Sequence, residues 1–234
     1  MDGQLDSHYI AMLEQKFEKS RFVRVDSDVI DNLIRKENDR EVTLSAQERE
    51  AMTTVFKSQI PTIEKSEFII MFEALGENSA PVMITQSEYM RRMKEMAAMQ
   101  PGMSFYGELP DTFNLIVNTD HALCKKVLAD TGVACNDTIA PLASQLDAVN
   151  AEITRLNNER KDKKDEDIPV ADKEALRNAE NEAADLRKKQ ENVYSEYAQN
   201  NNLVKQLIDL ALLSNNMLRG EALSRFVKRS FDML

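Results

Sequence analysis

The sequence predicts an α+β fold that is predominantly helical, with a small sheet and covering helices, a long helical hairpin and a pair of helices at the C-terminus. Short runs of β-forming residues are outnumbered by long stretches in which apolar residues recur at helical spacing. The 234 residues include only 6 Gly, 6 Pro and no Trp, and strand-rich sandwiches use more turn residues than this. The last long stretch is apolar on nearly every side, so it must be buried.

The composition is that of a soluble globular protein, with 42% hydrophobic and 30% charged residues. The net charge of −10 comes without a cluster of Lys and Arg, so we expect no nucleic-acid partner. Cys124 and Cys135 are too few and too unpatterned for a disulfide framework or a metal site, and they suit a reducing cytoplasm. Because the first residues form neither a basic nor an apolar stretch, and no later stretch approaches a membrane span, we expect no signal peptide and no membrane partner.

The first 42 residues predict two helices with one β run between them. Apolar residues at helical spacing run from Leu5 to Phe17, the β run is "RFVRV", and the second helix is "DSDVIDNLIRK". A single β run cannot form a sheet alone. Either it joins strands supplied elsewhere or a domain has been cut, and we favour a truncated domain. The charged stretch "KENDREVT" predicts a boundary between residues 1–42 and 43–234.

The next stretch predicts the small sheet. Ser45 and Glu48 form a capping-box pattern at the start of a helix. The β runs "SEFIIMFEAL" and "PVMIT" are joined by "GENSA", which predicts a hairpin or neighbouring strands. A helix over "QSEYMRRMKEMAAMQPG" then stops at Pro101 and Gly102. The β run "FNLIVN" leads into a helix that we expect to end at Gly132.

Two apolar stripes predict an antiparallel helical hairpin. The first steps by four and three, as a heptad seam does, and consists of Leu142, Leu146, Val149, Ile153 and Leu156. A charged loop with Pro169 interrupts it, and the second stripe consists of Leu176, Ala179, Ala183, Leu186, Val193 and Tyr197. Two helices joined by a short polar loop lie antiparallel. We favour a spacer without chemistry of its own.

The terminal helices predict association with a second copy. The first is apolar on nearly every side, Gly220 makes the turn, and the second carries its apolar residues on one face. One chain supplies too little cover for such a hairpin, and a second copy would supply it directly.

The sequence carries no recognisable catalytic pattern, and its most informative feature is a methionine helix. His8 and His121 lack metal-binding partners, and His121, just inside a helix start, is better explained as a structural hydrogen-bonding residue. Met residues recur every three positions at 90, 93, 96 and 99. They either fill an irregular core or form an adaptable surface for apolar partners, and spacing alone favours the core.

Several segments together resemble the ninety-kilodalton heat-shock chaperones, and bacterial members most of all. "FNLIVNTDHALCKKVL" is similar to a family motif, with Asn118, His121, Leu123 and Lys125 in matching places. "APVMITQSEYMRRMKEMA" resembles the family's strand and amphipathic helix, and "LDSHYIAMLEQKF…RFVRVD" resembles the end of its middle domain. "KQLIDLALLSNNMLRGEALSRFVKRSFDML" resembles its dimerisation helices. The resemblance covers nearly the whole chain.

The resemblance implies a homodimer that binds unfolded or partly folded client proteins. It makes residues 1–42 the end of the middle domain and 43–234 the C-terminal dimerisation domain, with the hairpin over about 141–199 as an insertion. The terminal helices of two copies would form an intermolecular four-helix bundle. The implied dimer interface consists of Leu207, Ile208, Leu210, Ala211, Leu212, Leu223, Phe226, Val227 and Phe231.

The resemblance also implies a client-binding surface and reverses our preference for the methionine helix. The implied client-binding residues are Tyr89, Met90, Met93, Met96 and Ala97, with His8 and Tyr9 from the middle domain. Met90 and Met99 are allowed to pack inward. The alternative is a coiled-coil dimerisation scaffold without a client surface.

The family's chemistry lies outside these residues. ATP and Mg bind in its N-terminal domain, and the catalytic arginine lies earlier in the middle domain. We therefore expect no cofactor, no metal and no ATPase activity in this chain. Because the sequence ends "FDML" where eukaryotic cytosolic members end "MEEVD", we also expect no co-chaperone that requires that tag.

Overall fold

A computed structural model describes residues 6–17, 22, 41–86, 110–161 and 168–232. The chain divides into two compact units. The first comprises Met1–Leu44, Ile60–Lys125 and Lys205–Leu234, and the second comprises Ser45–Gln59 and Lys126–Val204. The boundary between residues 42 and 43 stays a prediction. The segments "RFVRV" and "DSDVIDNLIRK" lie outside the described residues, apart from Phe22.

The described elements confirm a predominantly helical α+β fold. In chain order they are α1 (Asp6–Lys16), α2 (Ala46–Lys57), β1 (Ser66–Glu73), β2 (Val82–Gln86), β3 (Asp111–Asn118), α3 (Ala122–Arg160), α4 (Val170–Gln199), α5 (Asn202–Ser214) and α6 (Gly220–Asp232). The strands form one small mixed sheet in the first unit. The three strands predicted after residue 43 and the two hairpin helices are present.

The sheet has the order β1-β3-β2, so the prediction that β1 and β2 pair with each other is wrong. β3 lies between them, parallel to β1 and antiparallel to β2. The physical reason lies in its sequence. Leu115, Ile116 and Val117 are consecutive and all buried, and a strand that is apolar on both faces belongs in the centre of a sheet.

Asn118 closes the end of this sheet. Its fully buried side chain accepts hydrogen bonds through Oδ1 from the backbone N–H groups of Leu75 and Asp120, each at 3.1 Å. Its Nδ2 donates to the carbonyl oxygens of Gly76 at 2.9 Å and Ala80 at 3.3 Å. Gly76 has φ +86, a conformation that suits glycine. One amide side chain therefore holds the loop after β1 against the end of β3.

The long helix α3 begins beside this loop. His121 Nδ1 accepts a hydrogen bond from the Leu123 N–H at 3.1 Å, which confirms the predicted structural role of His121. One turn further along the helix, Lys125 Nζ lies 3.7 Å from a carboxylate oxygen of Glu77. The motif residues His121, Leu123 and Lys125 therefore all take part in the start of α3.

The prediction that this helix ends at Gly132 is wrong. α3 runs on through Gly132 and Pro141 to Arg160. Glycine in a helix interior costs about 1 kcal/mol relative to alanine, but residues on one side of α3 continue to be buried across it. They are Val127, Thr131, Cys135 and Ile139. Burial of one continuous face outweighs that cost.

In the second unit, α3 and α4 form the predicted antiparallel hairpin. Arg187 Nη2 donates to Asn150 Oδ1 at 3.2 Å, while Cys135 and Tyr194 line the same cleft. Contacts that join earlier residues of α3 to later residues of α4 define an antiparallel pair. α2 packs against α4.

The second stripe was predicted correctly at Ala183 and Leu186, while its first two residues, Leu176 and Ala179, are half-buried. The buried residues of α4 are Ala183, Leu186, Gln190, Tyr194 and Ala198, whereas Val193 and Tyr197 are half-buried. An α-helix has 3.6 residues per turn, so a strict heptad pattern drifts around it. Towards the end of α4 the buried positions are therefore Gln190, Tyr194 and Ala198, and the heptad positions Val193 and Tyr197 lie beside them.

We expect Ser45→Ala to destabilise the second unit in a pH-dependent way. The Glu48 N–H donates to Ser45 Oγ at 3.2 Å, and the Ser45 N–H donates to Glu48 Oε2 at 2.8 Å. The side-chain and backbone hydrogen bonds from Ser45 lower the pKa of Glu48. A lowered carboxyl pKa stabilises the fold above the unfolded-state pKa, and that stability is lost as the pH falls through the folded-state pKa.

Urea denaturation near neutral pH should show a loss of about 1 kcal/mol for Ser45→Ala. The difference from the parent chain should shrink as the solution is acidified below the ordinary carboxyl range. Thr53→Ala, in the middle of the same helix, is the control and should show no such pH dependence. A loss for Ser45→Ala that is the same at every pH would contradict the capping interpretation.

We expect Asn118→Ala to lower the free energy of unfolding by about 3 kcal/mol, because it leaves four partly buried backbone groups without their side-chain partner. The measurement is urea denaturation followed by circular dichroism. Asn114→Ala, a half-buried position on the same strand, should have a clearly smaller effect. Equal losses at the two positions would contradict a special role for Asn118.

Candidate dimerisation and client-binding surfaces

The last helix, α6, is strongly amphipathic, yet its own chain covers its apolar face only in part. None of residues 220–232, all of which the structure describes, is buried. Leu223 and Phe226 are half-buried. Val227 is 43% exposed and Phe231 is 72% exposed. An apolar helix face that is left open to water favours association with another surface.

The preceding helix, α5, is buried on one side. Of the predicted interface residues, those packed inside the chain are Leu207, Ile208, Ala211 and Leu212. Leu210 is 45% exposed on the other side. The structure therefore divides the predicted interface residues of α5 into a buried set and an exposed one. Leu210, Val227 and Phe231 are the predicted residues with the most surface open to a second molecule.

The connection between α5 and α6 uses two left-handed residues. Asn216 has φ +56 and Gly220 has φ +59. The Met217 N–H donates to the Leu212 carbonyl oxygen at 2.9 Å, and the Asn216 N–H donates to that of Leu213 at 3.0 Å. These bonds form a Schellman C-cap with asparagine in the left-handed position. The predicted turn at Gly220 is therefore shared, because Asn216 ends α5 and Gly220 begins α6.

A polar network joins α5 to α6. Arg229 Nη2 contacts Asp209 Oδ2 at 2.5 Å, and Arg229 Nε donates to Gln206 Oε1 at 3.0 Å. Gln206 Nε2 in turn donates to Ser230 Oγ at 2.6 Å. This network was not predicted from the sequence. The available signal was the presence of Gln206 and Asp209, one turn apart, in a helix that is otherwise apolar.

Most of the predicted client-binding residues lie outside the described residues. Tyr89, Met90, Met93, Met96 and Ala97 belong to this set. The backbone of His8 lies in α1, but its side chain is not among those that the structure describes. Tyr9, also on α1, is exposed. The client-binding assignment as a whole stays a prediction.

Apolar side chains that the sequence analysis did not assign to a site are also exposed in the first unit. Met12 on α1 and Phe17 just after it are exposed, as are Ile69 and Met71 on β1. Among the described strands β1 lies at one edge of the sheet, and its outward residues alternate with less exposed ones. That alternation was the available signal, since it marks a sheet face with incomplete cover.

The two cysteine thiols, Cys124 and Cys135, are buried and are not activated as nucleophiles. Burial raises the pKa of the Cys124 thiol to about 12, and its Sγ donates to the Pro81 carbonyl oxygen at 3.2 Å. Burial also raises the pKa of Cys135 and of Tyr194. Both line a cleft of about 210 Å³ between α2, α3 and α4. Thiols with raised pKa values stay protonated near neutral pH and react slowly.

Within the part of the chain that the structure describes, no three His, Cys, Asp or Glu side chains converge as metal ligands would. Across the same residues, no helix combines the length and apolarity that crossing a membrane requires.

Comparison with known proteins shows close relatives along the whole sequence. The chain is 57% identical over 234 residues to the chaperone protein HtpG of Bacteroides thetaiotaomicron, and 55% identical over the same length to that of Bacteroides fragilis. It is 48% identical over 234 residues to the HtpG of Porphyromonas gingivalis. Each match covers 100% of this chain, including the α3–α4 hairpin, and 34% of the relative.

The chain therefore spans about a third of the length of the curated relatives it matches, namely their C-terminal part. The predicted resemblance to bacterial members of the chaperone family is confirmed. No family model matches the chain, and no solved structure matches it.

Proposed function

We propose that this chain, a relative of the HtpG chaperones, joins two copies of an HtpG-type chaperone and provides part of the surface that holds client proteins. Along its entire length it matches the C-terminal third of those relatives. The clients would be unfolded or partly folded proteins, bound in the cytoplasm under heat shock and other stress. The match in sequence supports the chaperone role, and the geometry of α5 and α6 supports the role in dimerisation.

The observation that carries the dimer proposal is the open apolar side of α6. At 100° per residue, Gly220, Ser224, Val227 and Phe231 fall within about 60° of one another around the helix, and all four are exposed. The two small residues allow a neighbouring helix to approach closely, while Val227 and Phe231 supply apolar area. A twofold axis would bring this stripe and Leu210 against the same surface of a second copy.

Two helices from each copy would form a four-helix bundle. Obligate interfaces of this kind bury roughly 2,000 Å² or more in total. In a full-length protein, joining two copies at this end would also hold the remaining domains of the two copies near each other and so raise their effective concentration. Binding of ATP and Mg, and ATP hydrolysis, would take place in the parent protein outside these residues.

The proposed client surface combines the methionine helix with α1. Methionine side chains are flexible and polarisable, so a surface rich in them accepts apolar segments of different shapes. The exposed Tyr9 and Met12, one turn apart on α1, add an aromatic and a further methionine. The alternative function, a coiled-coil dimerisation scaffold, would need the methionine helix only as core.

We expect Val227→Asp to convert the dimer into monomers in sedimentation-velocity experiments, because it would place a charge in the bundle interface. Val227 is 43% exposed in the single chain, so the change removes little buried contact within the chain, and circular dichroism should show that the monomer keeps its helices. Lys228→Asp, on the charged side of the same helix, is the matched control and should leave the dimer intact. Ile208→Asp is a poorer test, because Ile208 is fully buried and the change would disturb folding.

A Val227→Asp variant that dimerises like the parent chain would contradict the proposed interface. Phe231→Asp provides an independent check on the same stripe, because Phe231 is 72% exposed.

We expect the double change Met93→Ser and Met96→Ser to weaken binding of a reduced and alkylated, permanently unfolded protein without lowering the melting temperature. The reason is that apolar contacts at an exposed surface serve binding and contribute little to folding. Fluorescence anisotropy of the labelled client measures the binding. Arg92→Ser, in the same segment, is the control. A large drop in melting temperature would favour the scaffold alternative, in which these methionines form core.

A further inference from the structure

We infer that the network of Arg229, Asp209, Gln206 and Ser230 decides which side of α6 faces the second copy. The four side chains are linked between α5 and α6 in one protomer. This inference rests on the proposed dimer and assigns the network a positioning role in it. The partner is a second copy of the same chain.

Apolar packing alone leaves the rotation of α6 about its axis poorly determined. Its apolar residues occur in adjacent pairs, Ala222 with Leu223 and Phe226 with Val227. Neighbours in a helix point about 100° apart. A rotation of that size would exchange the half-buried Phe226 for the exposed Val227, and one apolar residue would replace another. Because residues 220–232 include no fully buried side chain, no tightly enclosed residue prevents this exchange.

The polar network removes the ambiguity, because hydrogen bonds depend on direction. Arg229 and Ser230 lie on the half-buried side of α6 and both take part in bonds to α5. A rotation by one residue would break the contact between Arg229 Nη2 and Asp209 Oδ2 as well as the Arg229 bond to Gln206. In the observed orientation the exposed stripe of Gly220, Ser224, Val227 and Phe231 is the side presented outward.

The burial of the ion pair separates it from an ordinary surface pair. The side chains of Arg229 and Asp209 are 16% and 18% exposed. On the same helix, Arg225 and Glu221 form a pair at 2.9 Å whose side chains are 67% and 83% exposed. Largely buried ion pairs contribute little net stability compared with apolar residues of similar size, and their best-attested use is to specify register and partner geometry. Exposed pairs within one helix have little effect.

The test replaces the pair by apolar residues of similar size, with Asp209→Leu and Arg229→Leu together. The stability of the single chain should be retained, because the apolar pair keeps the α5–α6 contact. The dimer should nevertheless dissociate at least about tenfold more readily, which corresponds to about 1.4 kcal/mol, or give a mixture of assemblies. Melting temperature and the dimer dissociation constant from sedimentation equilibrium are measured on the same samples.

The matched control is Glu221→Leu with Arg225→Leu, which removes the same kinds of charge from the exposed pair and should leave the dissociation constant near its parent value. If the Asp209 and Arg229 double variant dimerises as tightly as the parent chain, the positioning role is overturned. Should it fail to fold, Arg229→Lys decides. Lysine keeps the charge but cannot make both bonds of the guanidinium, so an unchanged dissociation constant would equally overturn the inference.

The outcome for Val227→Asp separates this inference from the proposed function. If Val227→Asp still dimerises, the proposed interface itself fails. If Val227→Asp gives monomers while the double apolar variant dimerises normally, the interface stands and only the positioning role fails.

Discussion

The apolar side of α6 that its own chain leaves open is the constraint on which the C-terminal part of this molecule depends. A helix of 13 residues is marginal in water without tertiary contacts. Residues 220–232 include none that is fully buried, so α6 is held by half-buried contacts and by polar bonds to α5. Cover from a second copy would supply the missing burial and, with it, most of the driving force for association.

Apolar burial and directional hydrogen bonds have different tasks in this chain. Burial of β3 and of one face of α3 stabilises the two units, but it allows several arrangements of the neighbouring segments. Polar side chains then select among them. Asn118 holds the loop after β1, the Ser45 and Glu48 capping box begins α2, and Arg229 orients α6. Each relies on one or two side chains whose bonds fail if the segment moves by one position.

Local patterns predicted the elements well and their long-range arrangement poorly. The β runs, the capping box and the C-terminal helix pair depend on neighbouring residues, so the sequence indicates them directly. The pairing of β1 with β3 depends on residues more than forty positions apart, and no local signal excludes a β1–β2 hairpin. Gly132 looks like a helix end because the buried face that carries α3 beyond it becomes visible only when α2 and α4 are in place.

The same distinction between local pattern and long-range contact applies to the candidate sites. The sequence by itself indicated the family, because several motifs occur in it in the family's order. It also predicted that the terminal helices need cover. Only the tertiary structure decided which of those apolar residues the chain buries for itself. Ile208 and Leu212 are enclosed, whereas Leu210, Val227 and Phe231 are left to solvent. The reason is that a helical pattern sets which residues share a face, while contacts distant in sequence set how much of that face is covered.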